Sequence, residues 1–198
     1  MEFYRTLDIM KPLKHPKTKA MTISRREQLH DELWPLLIGR IFHVTRLNIL
    51  DQILAAGAIL ANTDGKLPPG GFGSYPNSYF RKRGCVSLFD LLNPPEKKID
   101  EHIHKCSPFT PAYSGHNLAF LFLSQEEYPK LVPWSNWKED KDYGDQIVPY
   151  VEAGYLGDIP ISSIEEIWEV TVTFPDDNSV AELIWARIGQ AGGSQKPN

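Results

Sequence analysis

Two ionisable residues stand in apolar surroundings, where each needs a partner or a task. His43 interrupts Arg40-Ile-Phe-His-Val-Thr45, and Glu152 closes Gln146-Ile-Val-Pro-Tyr-Val-Glu152. Ionisable groups are seldom buried unless paired or used. Taken singly, His43 reads as a core histidine with a satisfied hydrogen bond, and Glu152 as a paired carboxylate. His102-Ile-His104-Lys-Cys106 offers a different chemistry. Alternate residues of an extended chain point the same way, so three zinc-type ligands would converge. No fourth ligand lies near, and a polar surface loop explains these residues as well, so no metal is expected. Gly71-Phe-Gly73 lacks both the third glycine and the strand-to-helix setting of a dinucleotide fingerprint. No Walker phosphate loop is present, and spacing singles out no Ser-His-Asp arrangement.

The elements that must position these groups follow from periodicity. Arg40–Thr45 is short and rich in β-branched and aromatic residues and is expected to be a buried strand, with Cys85–Phe89, Asn117–Leu123 and Gln146–Glu152 as further strands. Trp168, Val170, Val172 and Phe174 alternate with polar residues, the pattern of a strand with one buried face. Ile49, Leu50, Ile53 and Leu54 keep the helical period, with Asn48 placed to cap and Gly57 to terminate. Ser24-Arg-Arg-Glu27 fits a capping box, and the helix it opens should stop or kink at Pro35. From Asn62 to Gly84 no period survives, and a structureless stretch of that length is disordered or functional.

Composition limits the answer further. The chain has 198 residues, 41% hydrophobic and 23% charged, which suits one soluble globular domain with a real core. No apolar run is long enough to span a membrane, and the N-terminus lacks the layout of a signal peptide. Two cysteines exclude a disulfide framework, so a reducing cytoplasm is the expected location. A net charge of −4 excludes a generally basic surface, and any nucleic-acid contact must be local. The local candidate is an irregular N-terminal arm carrying Arg5, Lys11, Lys14, Lys17 and Lys19, with Arg25 and Arg26 beyond it.

His43 and Glu152 gain meaning from their flanks. Arg40-Ile-Phe-His43-Val-Thr45, followed by a helix, Gly57 and Ala-Ile-Leu60, resembles the opening of small ADP-ribosyltransferase domains. Tyr150-Val-Glu152-Ala-Gly-Tyr-Leu-Gly-Asp-Ile-Pro160-Ile resembles their closing motif, in which a glutamate begins a strand. The order is most similar to the DarT-type, toxin-like branch, which modifies DNA bases. That resemblance implies an α+β fold with a two-sheet β core and flanking helices. It divides the chain into a basic extension with a helix (1–39), a catalytic domain (40–190) and a tail (191–198). It implies NAD as substrate, Glu152 as the catalytic carboxylate, and His43 with Thr45 on the ribose side. Tyr75 and Tyr79 become candidates to stack on nicotinamide, with Arg81 and Arg83 for the pyrophosphate and Ser87 beside the ribose. The loop from 62 to 84 becomes a candidate lid, with glycines that let backbone approach a ligand.

One departure bears on the acceptor. Arginine-modifying relatives carry a second glutamate two residues before the catalytic one, and here that position is Tyr150. Arginine is therefore disfavoured as acceptor. Trp134, Asn136, Trp137 and Tyr143 precede the Glu152 segment, where the resemblance places the acceptor side, and aromatic rings there suit stacking on a base. A single-stranded nucleic acid is expected slightly ahead of a protein acceptor, with an antitoxin or immunity protein as a further partner. Hydrolysis of NAD, or a binding module that lost catalysis, are the rival outcomes.

Overall fold

The computed structural model describes residues 15–24, 28–67, 76–95, 98, 102 and 117–173. Its centre is the most apolar segment of the chain, β5 (Asn117–Leu123), in which every residue after Asn117 is buried. A strand buried on both faces belongs in the middle of a sheet. On one side β5 pairs with β9 (Ile164–Val172), and β9 with β1 (Lys17–Ile23). On the other side come β2 (Ile41–Arg46), β4 (Cys85–Asp90), β7 (Glu152–Leu156) and the short β6 (Leu131–Pro133). Neighbours are antiparallel except β1 and β9. A second, two-stranded sheet joins β3 (Ala58–Ile59) to β8 (Ile159–Pro160). The fold is therefore α+β, with one large sheet, one small one and few helices among the described residues.

Alternation sorts the core into two layers. Phe42, Phe120, Phe122, Trp168 and Val170 point to one face, where Leu33 and Leu37 of the helical segment 29–37 cover them. Ile41, Leu121, Ile164 and Ile167 point to the other, under Leu50 and Ile53 of α2 (Leu47–Ala56). Each fully buried side chain of this size contributes about 1.5–3 kcal/mol relative to exposure. Gly57 ends α2 with φ 71°, the left-handed conformation expected there. Among the described residues no helix is long and apolar enough to cross a membrane.

Several local expectations are corrected. Gln146–Val151 is not a strand. Gln146 bonds to Asn77 and Tyr79 through its backbone, then Pro149 removes a donor and Tyr150 turns the chain with φ 67°. The strand begins only at Glu152. Lys17–Ile23 is an edge strand rather than an irregular arm. The helix after β2 starts at Leu47 without a side-chain cap, because extended Arg46 runs straight into it. Ser24 N–H and hydroxyl meet Gln28 Oε1 at 2.8 and 3.1 Å, so Gln28 is a capping partner. Pro35 does not stop the helical segment: it falls in the first turn of α1 (Trp34–Leu37), where a missing N–H costs least, directly after a wider π turn over Leu29–Leu33. Two further short helices, α3 (Tyr79–Lys82) and α4 (Ser135–Glu139), lie in segments read as loops. Residues 1–14, Arg25, Arg26, Tyr75, the glycines at 70, 71 and 73, His104, Cys106, Phe174 and the tail lie outside the described residues.

Candidate active site

The site begins where two central strands part. β2 and β4 pair only at Ile41–Asp90 and Phe42–Phe89, while β2 stays with β5 as far as Arg46 and β4 stays with β7 back to Cys85. Beyond Phe42 a cleft opens between them. His43 Nδ1 lies 3.0 Å from the Ser87 carbonyl oxygen across that gap. A carbonyl only accepts, so Nδ1 carries the proton and Nε2 keeps a lone pair. Burial lowers the pKa of His43, and the bond to Ser87 offsets this only in part, so the ring is neutral near pH 7.

Glu152 sits one strand further on. It is the first residue of β7, opposite Phe89, and its Oε2 accepts the Val148 N–H at 2.9 Å. The Ser87 hydroxyl also favours its charged form. Burial raises the carboxyl pKa above the ordinary value, and Val148 and Ser87 pull against that shift. Ser87 thus links the pair: its carbonyl accepts from His43, and its hydroxyl favours the charged form of Glu152.

The cleft has a volume of about 390 Å³, and its polar lining includes His43, Thr45, Ser87 and Arg81. Most of the lining is apolar, with Ile49 and Ile53 of α2 and Leu60 beyond β3 among it. Small-molecule sites run to roughly 300–1,000 Å³ with this mixture of apolar wall and few polar groups. Arg81 is held in place, since its Nε donates to the Asn62 carbonyl at 2.9 Å and its N–H reaches Ser78 Oγ at 3.4 Å. Thr45 is buried on the same face of β2 as His43.

Glu152, Tyr79 and Arg83 are not among the residues that line the cleft, and Glu152 adjoins it on the Ser87 side. Tyr79 is fully buried, its hydroxyl donates to Asp140 at 2.7 Å, and burial followed by that bond pushes its pKa up to about 12. Arg83 stacks on the Tyr79 ring at 3.7 Å and pairs with Asp140 and Asp142. Gln52, Asn62 and Ser78 line the cleft and were not anticipated. Gln52, a polar residue between Ile49 and Ile53 on one helix turn, was the readable signal.

On the far side of Glu152 the aromatic residues divide. The Trp134 ring contacts that of Tyr150 at 4.3 Å between centroids, and His102 lies 5.6 Å from Tyr150. Trp137 donates from Nε1 to the Asp145 carbonyl at 3.2 Å and meets Tyr143, which is 63% exposed. Lys17 and Lys19 sit on β1, at the opposite edge of the sheet from β7 and β6. Five strand steps separate β1 from β7, about 24 Å. Lys19 lies over the Trp168 ring there. The described part of the arm and the aromatic loop therefore form no single patch. Among the described residues no three His, Cys, Asp or Glu side chains gather as a metal site.

Comparison with protein families and with curated proteins finds no match. Among solved structures the chain is similar to one with a TM-score of 0.37 and 15% identity, covering 80% of this chain and 93% of that one. That structure is Thermus sp. 2.9 DarT in complex with carba-NAD+.

Proposed function

We propose that this chain is a mono-ADP-ribosyltransferase, with NAD as donor and a macromolecular acceptor, a nucleic-acid base ahead of a protein side chain. One observation carries the reading: Ser87 stands between a neutral histidine, which it bonds, and a half-buried carboxylate, beside a mostly apolar cleft at the parting of β2 and β4. In the reaction the bond from nicotinamide nitrogen to ribose C1′ breaks, nicotinamide leaves with the electron pair, and an oxocarbenium-like sugar remains. The Glu152 carboxylate opposes that positive charge and holds a ribose hydroxyl. His43 Nε2 accepts from the adenosine ribose, Thr45 sits beside it, and Arg81 holds the pyrophosphate. Ile49 and Ile53 offer an apolar wall to adenine. The acceptor nucleophile then attacks C1′ and loses its proton. Trp134, Trp137 and Tyr143 support a planar acceptor by their rings.

The test is incubation with NAD labelled in its adenylate half, together with single-stranded DNA, RNA and protein acceptors. Nicotinamide release with label on single-stranded nucleic acid is expected, lower by about two to three orders of magnitude in Glu152→Gln. Unchanged release in a folded Glu152→Gln variant overturns the assignment. Release without label on any acceptor makes the chain an NAD glycohydrolase, and NAD binding without release makes it a binding module. A toxin-like role predicts growth arrest on expression, relieved by the same substitution and by an antitoxin or immunity partner.

A further inference from the structure

We propose that Tyr150 is a positioning residue for Glu152: held at positive φ by contact with the Trp134 ring, it closes the turn that seats the Glu152 carboxylate on the Val148 N–H. The proposal deepens the transferase reading and rests on it for its catalytic consequence. The Val148 carbonyl accepts from Val151 N–H at 3.3 Å and Glu152 N–H at 3.0 Å, while Val148 N–H donates back to Glu152 Oε2 at 2.9 Å. Backbone and side chain of Glu152 thus both close on one residue. Pro149 fills the second turn position, where its fixed φ suits the bend. The third position requires positive φ, and glycine is the residue that takes it without strain. This chain places a tyrosine there, with φ 67°.

A bulky side chain persists in the left-handed region only where its surroundings dictate it, and such residues cluster at functional sites. The surroundings here are identifiable. β6 pairs with β7 up to Pro133–Ala153, so the next residue, Trp134, arrives at the level of Glu152. Its ring lies 4.3 Å from that of Tyr150, and His102 lies 5.6 Å away on the ring. The groups that face the carboxylate are the Val148 N–H and the Ser87 hydroxyl, with His43 across Ser87 and His102 beyond Tyr150. A loose turn would free the carboxylate to swing into water, and a displacement of about one ångström costs up to a hundredfold in rate.

The experiment compares Tyr150→Gly, which keeps the backbone conformation and removes the ring, with Tyr150→Phe and with Trp134→Ala. The first readout is the NMR titration of the Glu152 carboxyl in the protein without NAD, assigned by the signal lost in Glu152→Gln. The second is kcat against KM for nicotinamide release. Tyr150→Gly and Trp134→Ala are expected to move the Glu152 midpoint down toward the ordinary 4.5. They are also expected to lower kcat about tenfold or more, with KM for NAD within about twofold. Tyr150→Phe should match the parent protein. A folded Tyr150→Gly variant with the parent's midpoint overturns the proposal. Loss of the fold in that variant, where glycine carries no strain, assigns the ring a packing role and overturns it too. A shifted midpoint in a protein that never releases nicotinamide refutes the transferase reading and leaves the positioning intact.

Discussion

Gly154→Ala tests how the cleft is built. Gly154 lies in β7 opposite Ser87, two residues after Glu152. A Cβ there would meet Phe80 Cδ1 at 2.2 Å, Cε1 at 2.8 Å and Cγ at 3.0 Å. The ring would have to retreat by more than an ångström to reach ordinary contact. It has nowhere to go, since Phe80 is fully buried against Tyr79 and Cys85, with Val132, Trp137 and Ile147 around them. The displacement must pass into α3, which carries Arg81 and is capped by Ser78, both at the cleft wall. Overpacking of this kind costs about 1–3 kcal/mol. At roughly 1.4 kcal/mol per tenfold, the folded-to-unfolded ratio should drop by about five- to a hundredfold. Phe80→Leu removes the ring edge, so Gly154→Ala should cost less in its presence, with a coupling of about 1 kcal/mol or more. Denaturant midpoints at constant slope measure the cycle, and NAD titration reports the movement of Arg81. Additive single effects, or a Gly154→Ala variant within about 0.5 kcal/mol of the parent, would refute the reasoning.

Three further outcomes follow from the same geometry. Burial raises the Glu152 pKa, so its folded value lies above its unfolded one. Stability is then lost as pH rises between the two, and Glu152→Gln should unfold at a higher temperature than the parent at pH 7, with the gain vanishing in acid. The His43 pKa is lowered, so NAD affinity should hold at pH 7 and weaken as acid protonates Nε2, at a pH below 6.5. Calorimetric Kd values across pH check this, and His43→Ala should flatten the profile. Arg81→Ala should weaken NAD about tenfold or more, since it removes a charge-assisted contact at the cleft. Arg83→Ala should leave NAD affinity within about twofold and cost about 1 kcal/mol or less, because its partly exposed ion pairs face Asp140 and Asp142.

The candidate site was readable where it depends on local pattern. His43 and Glu152 stood out as ionisable residues in apolar segments, whereas Ser87 became a candidate only through the family resemblance. What joined them is a register: β2 and β4 share two residue pairs and then part, while each keeps its outer neighbour. That is a property of strands drawn from three distant parts of the chain, and no window of sequence contains it. Tyr79 and Arg83 misled for the same reason. In sequence they sit in a basic segment after a glycine-rich loop, which suggests a mobile binding element. In space their partners, Asp140 and Asp142, come from some sixty residues later and hold them away from the cleft. Gln146–Val151 misled differently, since its apolar run is genuine but Pro149 and the positive φ of Tyr150 end the ladder before it starts.

β1 was illegible because an exposed edge strand carries little hydrophobic signal: of Lys17–Ile23 only Ile23 is fully buried. The large sheet can carry such a strand because β9, its partner, is itself anchored by Trp168, Val170 and Val172 on the buried face. The same division of labour holds at the site. Ile41 and Phe42, packed on opposite faces of β2, fix the strand from which the His43 side chain crosses the gap, and Leu88 does likewise for Ser87. A polar group can stand at the mouth of a cleft only if its chain neighbours are held by apolar packing on either side.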